Sequence, residues 1–333
     1  MARSGSPTSF DHGPRSLGSI SDRLLKSGLG RHCVPAAMTL LLVGCITLTS
    51  DPRAVIYGPR GSVSVASLNC DAAVQLMQNA GGRETADALD PSSFRLLIWN
   101  VHKEADAGWD LDLAKFARTS DALLLQEIVS IAPLRDILLD AGMRWVMASS
   151  FFFESNDIGV LTATRIAPLA SCTQRAVEPI IRIPKSAVFN WFRIAGSKET
   201  LAVGNIHGIN FELGVSSYRG QMEALVAALA GHRGPIIVAG DFNTWSDERD
   251  QLVTETFARI GLTEVKFCSD QRSLFVGMHL DHVYVRGLEL VDGAAIPVTS
   301  SDHNPLTATF RVPASDIATG ESVRMASCAR PAK

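Results

Sequence analysis

The sequence predicts an α/β fold whose sheets are covered on both faces, and three observations carry that expectation. Apolar runs of strand length recur between residues 94 and 312. Helix-period stretches lie between several of them. The runs are near-continuous in Leu, Ile and Val rather than alternating with polar residues, the pattern of strands buried on two sides. No repeat or low-complexity tract interrupts this region, so residues 94–312 are expected to form one domain.

Taken in order, the elements share a second property. RLLIWNV (95–101) is a strand that closes on Asn100, and Trp109–Thr119 follows with helical spacing. ALLLQEI (122–128) closes on Gln126 and Glu127, and Ile131–Ala141 is again helical. IGVLTAT (158–164) and LAVGNIHG (201–208) are strands, the latter delivering His207. Tyr218–Gly231 is a helix with Arg219 and Gln221 at its head. IIVAGDFN (236–243) ends in Asp241 and Asn243, and Asp247–Ile260 is helical. DHVYVRG (281–287) opens on Asp281, while Asp302 and His303 precede LTATFRV (306–312). SSFFFE (149–154) reads as a core strand; EPIIRIPK (178–185) either turns Arg182 and Lys185 towards a polyanion or lies solvated at a sheet edge. One Asp or Asn after a strand is ordinarily a turn residue. Six polar strand ends of this kind are better explained by one convergent site, because ligands of layered α/β proteins gather where strand ends meet loops.

The flanks differ in texture. Residues 1–22 are rich in Ser, Gly and Pro and are expected to be disordered, as is the tail 313–333. Arg23, Lys26 and Arg31 precede an apolar run from about Val34 to Leu48. That run is shorter than the roughly 18 residues of a comfortable membrane span, so 23–49 reads as a signal peptide, a lipoprotein signal or a short membrane anchor. LVGC (Leu42–Cys45) resembles the bacterial lipobox, which would make Cys45 the lipidated residue. The bacterial cell envelope, on its periplasmic side, is the expected location; a cytoplasmic one follows if the N-terminus is misassigned. Residues 50–93 read as a linker or wrapping segment with one short helix in DAAVQLMQNAGG. Six scattered cysteines without a CxxC pair argue against a zinc site or a dense disulfide framework and leave room for a single bridge. A net charge of −3 gives no global basic field for nucleic acid.

The strand-end residues are carboxylates, amides and imidazoles. No GxSxG elbow or phosphate-cradling glycine loop accompanies them. Hard oxygen ligands suit Mg²⁺ or Mn²⁺, and such an ion neutralises phosphate oxygens during in-line attack by water. A histidine beside an acid supplies a group that acts on the water or the phosphate near neutral pH, and Asn243 and His207 are donors for developing charge. The expected chemistry is metal-assisted hydrolysis of a phosphate ester.

The motifs WNV, LLLQE, NIHG, GDFN, LDHVYV and SDHNP, in this order and spacing, resemble the endonuclease/exonuclease/phosphatase superfamily of DNase I-like proteins. EPIIRIPKSA, NIHGINFELGV and DQRSLFVGMHLDHVYVRGL are similar to the bacterial YafD-type branch. The resemblance implies a four-layer α/β/β/α sandwich with two packed mixed sheets. It implies Glu127 as the principal metal ligand, with Asn100 and Asp302 near the metal, and Asp281 paired with His303. Asp241 and Asn243 would orient water and phosphate, and His207 would bind a phosphate oxygen. Apart from the resemblance, Arg219 and Asn210 are candidate substrate contacts, and the alternative for Arg219 and Gln221 is a solvated first helical turn. The implied partner is a phosphodiester, either nucleic acid or a lipid head group, with membrane attachment through the N-terminus. No aromatic-tipped lipid-entry loop is evident in the sequence. The alternative is a retired enzyme that serves as an envelope binding or scaffold protein.

Overall fold

A computed structural model describes residues 46–48, 53–58, 61–66, 70–79, 87–267 and 270–313. The stretch 1–22 expected to be disordered, the expected leader up to and including Cys45, and the tail beyond residue 313 lie outside the described residues, whereas Ile46–Thr47 at the leader's end form a strand. The elements run β1 (Ile46–Thr47), β2 (Arg53–Gly58), β3 (Gly61–Ala66), α1 (Cys70–Asn79), β4 (Phe94–Asn100), α2 (Trp109–Thr119), β5 (Ala122–Val129) and α3 (Ala132–Asp140). They continue β6 (Arg144–Phe153), β7 (Asn156–Thr164), β8 (Ala170–Val177), β9 (Pro184–Arg193), β10 (Thr200–His207) and α4 (Ser216–Leu229). Then come β11 (Ile236–Asp241), α5 (Asp247–Ala258), β12 (Thr263–Glu264), β13 (Leu274–Phe275), β14 (Met278–His279), β15 (Asp281–Arg286), β16 (Glu289–Ala295) and β17 (Leu306–Arg311).

Two mixed sheets stack face to face. One has the order β16-β17-β4-β5-β7-β6-β2-β3 with β1 beside β6, and the other β12-β15-β11-β10-β9-β8. The near-continuous apolar strands explain the layering, because alternate residues serve opposite faces. Leu96 and Ile98 of β4 point between the sheets, where they meet Val203, Ile237, Ala239 and Val283. Leu97 and Trp99 point outward and pack under α2 with Leu113 and Phe116. The second sheet does the same, turning Ile236 and Val238 towards α4 and α5, where Leu225 and Phe257 cover them. The result is the α/β/β/α sandwich.

Residues 53–58, 61–66 and 70–79 add to this body. The β2–β3 hairpin extends the first sheet alongside β6, and a Cys70–Cys172 disulfide ties α1 to β8. Residues 178–183 form a loop rather than an edge strand, and Lys185 sits in β9, an interior strand between β8 and β10.

The register places the site. His207 ends β10 level with Asp241 at the end of the parallel strand β11. Asp241 in turn faces Asp281 at the start of the antiparallel β15. Asn100 ends β4 opposite Gln126 of β5. Gly240, at φ 142, allows these ends to close up: a Cβ there would lie 2.1 Å from the Ile206 carbonyl oxygen.

Candidate active site

Seven of the strand-end residues reach a single cleft of about 390 Å³: Asn100, Glu127, His207, Asp241, Asn243, Asp302 and His303, with Asn210 and Lys185 beside them. Asp281 stands behind it and holds His303 from Oδ2 to Nδ1 at 2.7 Å. Arg219 is exposed on α4 and is not in the cleft wall. Its neighbour Gln221 is buried instead, accepting from the Ile209 N–H at 2.8 Å and donating to the His207 carbonyl at 3.1 Å. Two positions apart on a helix is about 200° of rotation, so the two side chains face opposite ways.

Several of these residues are held in backbone conformations that non-glycine residues avoid. Glu127 lies at φ 55, and the β5–β7 register shifts between Leu125 and Ile128 around it. A bulge of this kind re-aims a side chain, and here it turns Glu127 out of the ladder into the cleft. His102, Lys103 and Glu104 form a left-handed turn at φ 48, 54 and 59. Asn243, at φ 53, tolerates that region better. Its N–H donates to Asp241 Oδ1 at 2.9 Å and its side-chain amide to the Gly208 carbonyl at 3.0 Å. Strain concentrated at one cleft is the signature of a site over-determined by its surroundings.

The loop that carries His303 is locked to the first sheet. Trp99 Nε1 donates to the His303 carbonyl at 3.0 Å, and Ser301 Oγ donates to the Asn100 carbonyl at 2.7 Å. Asn100 Nδ2 donates to Asp241 Oδ2 at 3.0 Å, linking the two sheets across the cleft. Behind them, Gln126 Nε2 donates to Asn205 Oδ1 at 2.6 Å, and Asn205 donates to the Leu161 carbonyl at 2.9 Å.

The electrostatics divide the groups by role. Burial opposes charge on His303, but Asp281, Asp241 and Asp302 outweigh it and raise the imidazole to about 10, so it is an imidazolium at neutral pH. Burial and then Lys185 push His207 well below the ordinary range, so it is neutral. Its Nε2 accepts from the Lys185 ammonium at 2.6 Å and lies 3.4 Å from Asp241 Oδ2. Burial raises the Asp241 carboxyl, with His303 opposing it. Burial also works against charge on Glu127. The facing His207 when charged, then Lys103 and Lys185, nevertheless hold it down to about 2. Lys103 Nζ contacts the Glu127 carboxylate directly.

Two further residues carry no motif that marks them in the sequence: Lys185, which meets His207 across the β9–β10 ladder, and Glu104. Glu104 is half-buried, its Oε1 accepts from the Val129 N–H at 3.1 Å, and Oε2 is enclosed without a partner. Burial raises its pKa from 4.5 to about 8 despite that hydrogen bond. The native state therefore keeps a proton that the unfolded chain has lost. The stability from this group is complete below about pH 4.5 and declines until about pH 8. Glu104→Gln removes the titration: urea unfolding should match wild type near pH 5, and near pH 9 the variant should be more stable by on the order of 3 kcal/mol. Equal stabilities at both pH values would show that Glu104 ionises normally in the fold.

Two packed mixed sheets with this constellation at one edge define the DNase I-like class of α/β proteins. The chain belongs to the Endonuclease/Exonuclease/phosphatase family, whose sequence profile matches residues 97–303. It is 39% identical over 222 residues to a UPF0294 protein of Vibrio vulnificus, covering 66% of this chain and 78% of that one. The fold is shared with a solved endonuclease/exonuclease/phosphatase from Bacteroides vulgatus (TM-score 0.53, 14% identity, 67% of this chain and all of that one). It is shared equally with the one from Beutenbergia cavernae (TM-score 0.52, 17% identity, 66% and 72%). Membership supports phosphoester hydrolysis as the reaction class.

Proposed function

We propose that the chain hydrolyses a phosphodiester with the help of a divalent cation. The observation that carries this reading is the Asp281–His303 pair facing Asp241, His207, Asn243 and Glu127 in one cleft. Cationic His303 is placed to hold a phosphate oxygen as negative charge grows on it. Asp241, fixed by Asn100 and the Asn243 N–H, orients the attacking water and takes its proton. Lys185 and His207 bind the phosphate on the opposite wall.

The donor set fits a hydrated Mg²⁺ or Mn²⁺. Such an ion keeps several waters and needs only one or two protein carboxylates, and Glu127 is ionised with Asn100 and the exposed Asp302 nearby. Among the described residues no group of three or more His, Cys, Asp or Glu side chains could hold a metal ion. Bound there, the ion would supply charge neutralisation at the phosphate. Lys103, whose ammonium contacts the Glu127 carboxylate, occupies the same electrostatic position.

The test is hydrolysis of bis-p-nitrophenyl phosphate by the full chain with EDTA, Mg²⁺ or Mn²⁺. Turnover should require the metal and should fall on the order of a hundredfold or more in Glu127→Gln, with circular dichroism unchanged. Turnover indifferent to EDTA, or intact in the variant, removes the metal reading. For location, the basic residues before the apolar run at 34–48 support export, and the Cys70–Cys172 disulfide supports an oxidising compartment. Attachment through Cys45 belongs to the same proposal.

A further inference from the structure

The floor of the cleft is polar and sets Lys185 and His303 beside the carboxylates of Glu127 and Asp241, but its lip is apolar. Three loops form the lip: 178–183 before β9, 208–215 between β10 and α4, and the β13–β14 hairpin. Each turns apolar side chains into the cleft wall: Ile181 and Ile183, Phe211, and Phe275 respectively. Each also exposes another beyond the wall: Ile180, Leu213 at 91% exposure and Val276 at 79%. With Leu274, these loops hold seven of the thirteen large hydrophobic side chains exposed among the described residues. Single exposed apolar residues are ordinary; a contiguous group around one opening marks a surface that meets another phase or molecule.

The hairpin tip argues the same way. Val276 at φ 52 and Gly277 at φ 83 form the paired left-handed turn that favours Asn-Gly. A β-branched residue is poorly suited to the first position. Turn stability therefore does not account for a valine there, whereas an apolar environment beyond the tip does. The chain's entry gives an independent bearing. Ile46 and Thr47 pair with Phe153 and Phe152 at the end of β6, and the preceding Ser150 and Phe151 line the cleft. Ile46 and Thr47, at the end of the apolar run, thus lie at the end of the fold that carries the cleft.

We propose that the substrate is a lipid phosphodiester drawn from a membrane surface, the three apolar loops resting among head groups while the phosphate reaches Lys185, His207 and His303. This rests on the phosphodiesterase reading above and names its substrate class. An apolar lip over a floor that offers Lys185 and His303 complements a molecule in which one phosphate joins a polar head to acyl chains. A polynucleotide would instead need cations tracking along an extended groove. In the reaction water adds to phosphorus, one P–O ester bond breaks, and the released oxygen leaves as an alcohol carrying a proton.

The test uses the full chain and its Val276→Asn, Leu213→Gln double variant. Neither residue lines the cleft, and asparagine suits the turn. Both proteins are given vesicles of a bacterial polar lipid extract, bis-p-nitrophenyl phosphate and plasmid DNA. Wild type should release lipid cleavage products, and the variant should do so about tenfold more slowly while hydrolysing the soluble diester at the wild-type rate. Equal vesicle turnover by the two proteins would overturn the docking role of the loops. Turnover of the soluble diester or DNA without lipid products would overturn the lipid substrate and leave the phosphodiesterase standing. No turnover of any of the three would overturn the phosphodiesterase reading itself.

Discussion

Asp281→Asn should lower phosphodiester turnover by on the order of 10²–10⁴-fold, and His303→Ala by about 10³-fold or more, with the fold retained. Asp281 reaches the cleft only through His303. One carboxylate oxygen accepts from Nδ1 at 2.7 Å, and the other is buried without a partner. Its charge therefore acts on the imidazole at short range and little screened. Asparagine keeps the shape and an acceptor for Nδ1–H but removes that charge. The force that overcomes the burial penalty and keeps His303 near 10 is then largely gone. The sign follows. In wild type the imidazolium persists until the pH rises through about 10, so activity that depends on it should hold across the neutral range. In Asp281→Asn the basic limb of the pH–rate profile should move down into the neutral range. His303→Ala should lose the limb together with the rate. A profile unmoved in Asp281→Asn would mean that His303 acts without its partner's charge, as a neutral donor or a purely steric element. Steady-state rates from about pH 5 to 10 on a soluble diester decide it, with circular dichroism as the control for folding.

The site was legible in the sequence to the extent that strand ends were. Asn100, Glu127, His207, Asp241, Asn243 and Asp281 each stand at the tip of an apolar run, and the run mounts its tip at one edge of the sandwich. Other features depend on three-dimensional register and leave little local trace. The bulge that aims Glu127 is two polar letters at the end of β5. The choice of Gln221 over Arg219 is a matter of helical phase, fixed by which face of α4 meets the sheet. Lys185 is one lysine in a ten-residue strand, and only the neighbouring β10 brings it against His207. The apolar lip leaves no mark in the sequence. Ile180, Leu213, Phe275 and Val276 are the residue types that normally mark a core, and nothing in their local spacing shows that three loops carry them outward. The β8 and β9 strands escaped because polar residues interrupt their apolar pattern.

The largest stability effect is expected at Arg249, whose segment DERDQ reads as a solvated helical turn. It begins as one: Ser246 caps α5 by accepting from the Arg249 N–H, and Asp247, Glu248 and Asp250 suit the positive end of the helix. The arginine side chain instead runs inward and is fully buried. Its guanidinium donates to the carbonyls of Ile209 at 2.6 Å, Asn243 at 3.0 Å and Asn210 at 3.1 Å. It lies between two aromatic faces, 4.5 Å from the Tyr218 ring centroid and 4.3 Å from that of Trp245. Burial opposes its charge and lowers its pKa, while Tyr218 and the carboxylates of Glu212, Glu178 and Glu248 oppose that shift. One side chain thus satisfies the backbone of both loops that present Asn210 and Asn243 to the cleft. Methionine fills much of the volume but leaves three carbonyls without donors, so Arg249→Met should cost about 3–5 kcal/mol in urea unfolding. Arg249→Lys keeps the charge but brings a single ammonium in place of a fork, which cannot span three acceptors and stack on two rings. It should cost about 2–3 kcal/mol, by the loss of hydrogen bonds to a charged group. Because the bonds go to loops rather than to the core, the loss should be local before it is global. Amide exchange at residues 209–213 and 242–246 should accelerate in Arg249→Lys under conditions where β10 and β11 stay protected, and turnover should fall with it as Asn243 loses its left-handed pose. If stability drops while those amides exchange at wild-type rates, Arg249 supports the packing of α5 on the sheet rather than the geometry of the site. The two loops would then owe their order to Tyr218, Glu178 and Glu212, which bind the Phe242 carbonyl, the Asn210 N–H and the first turn of α4.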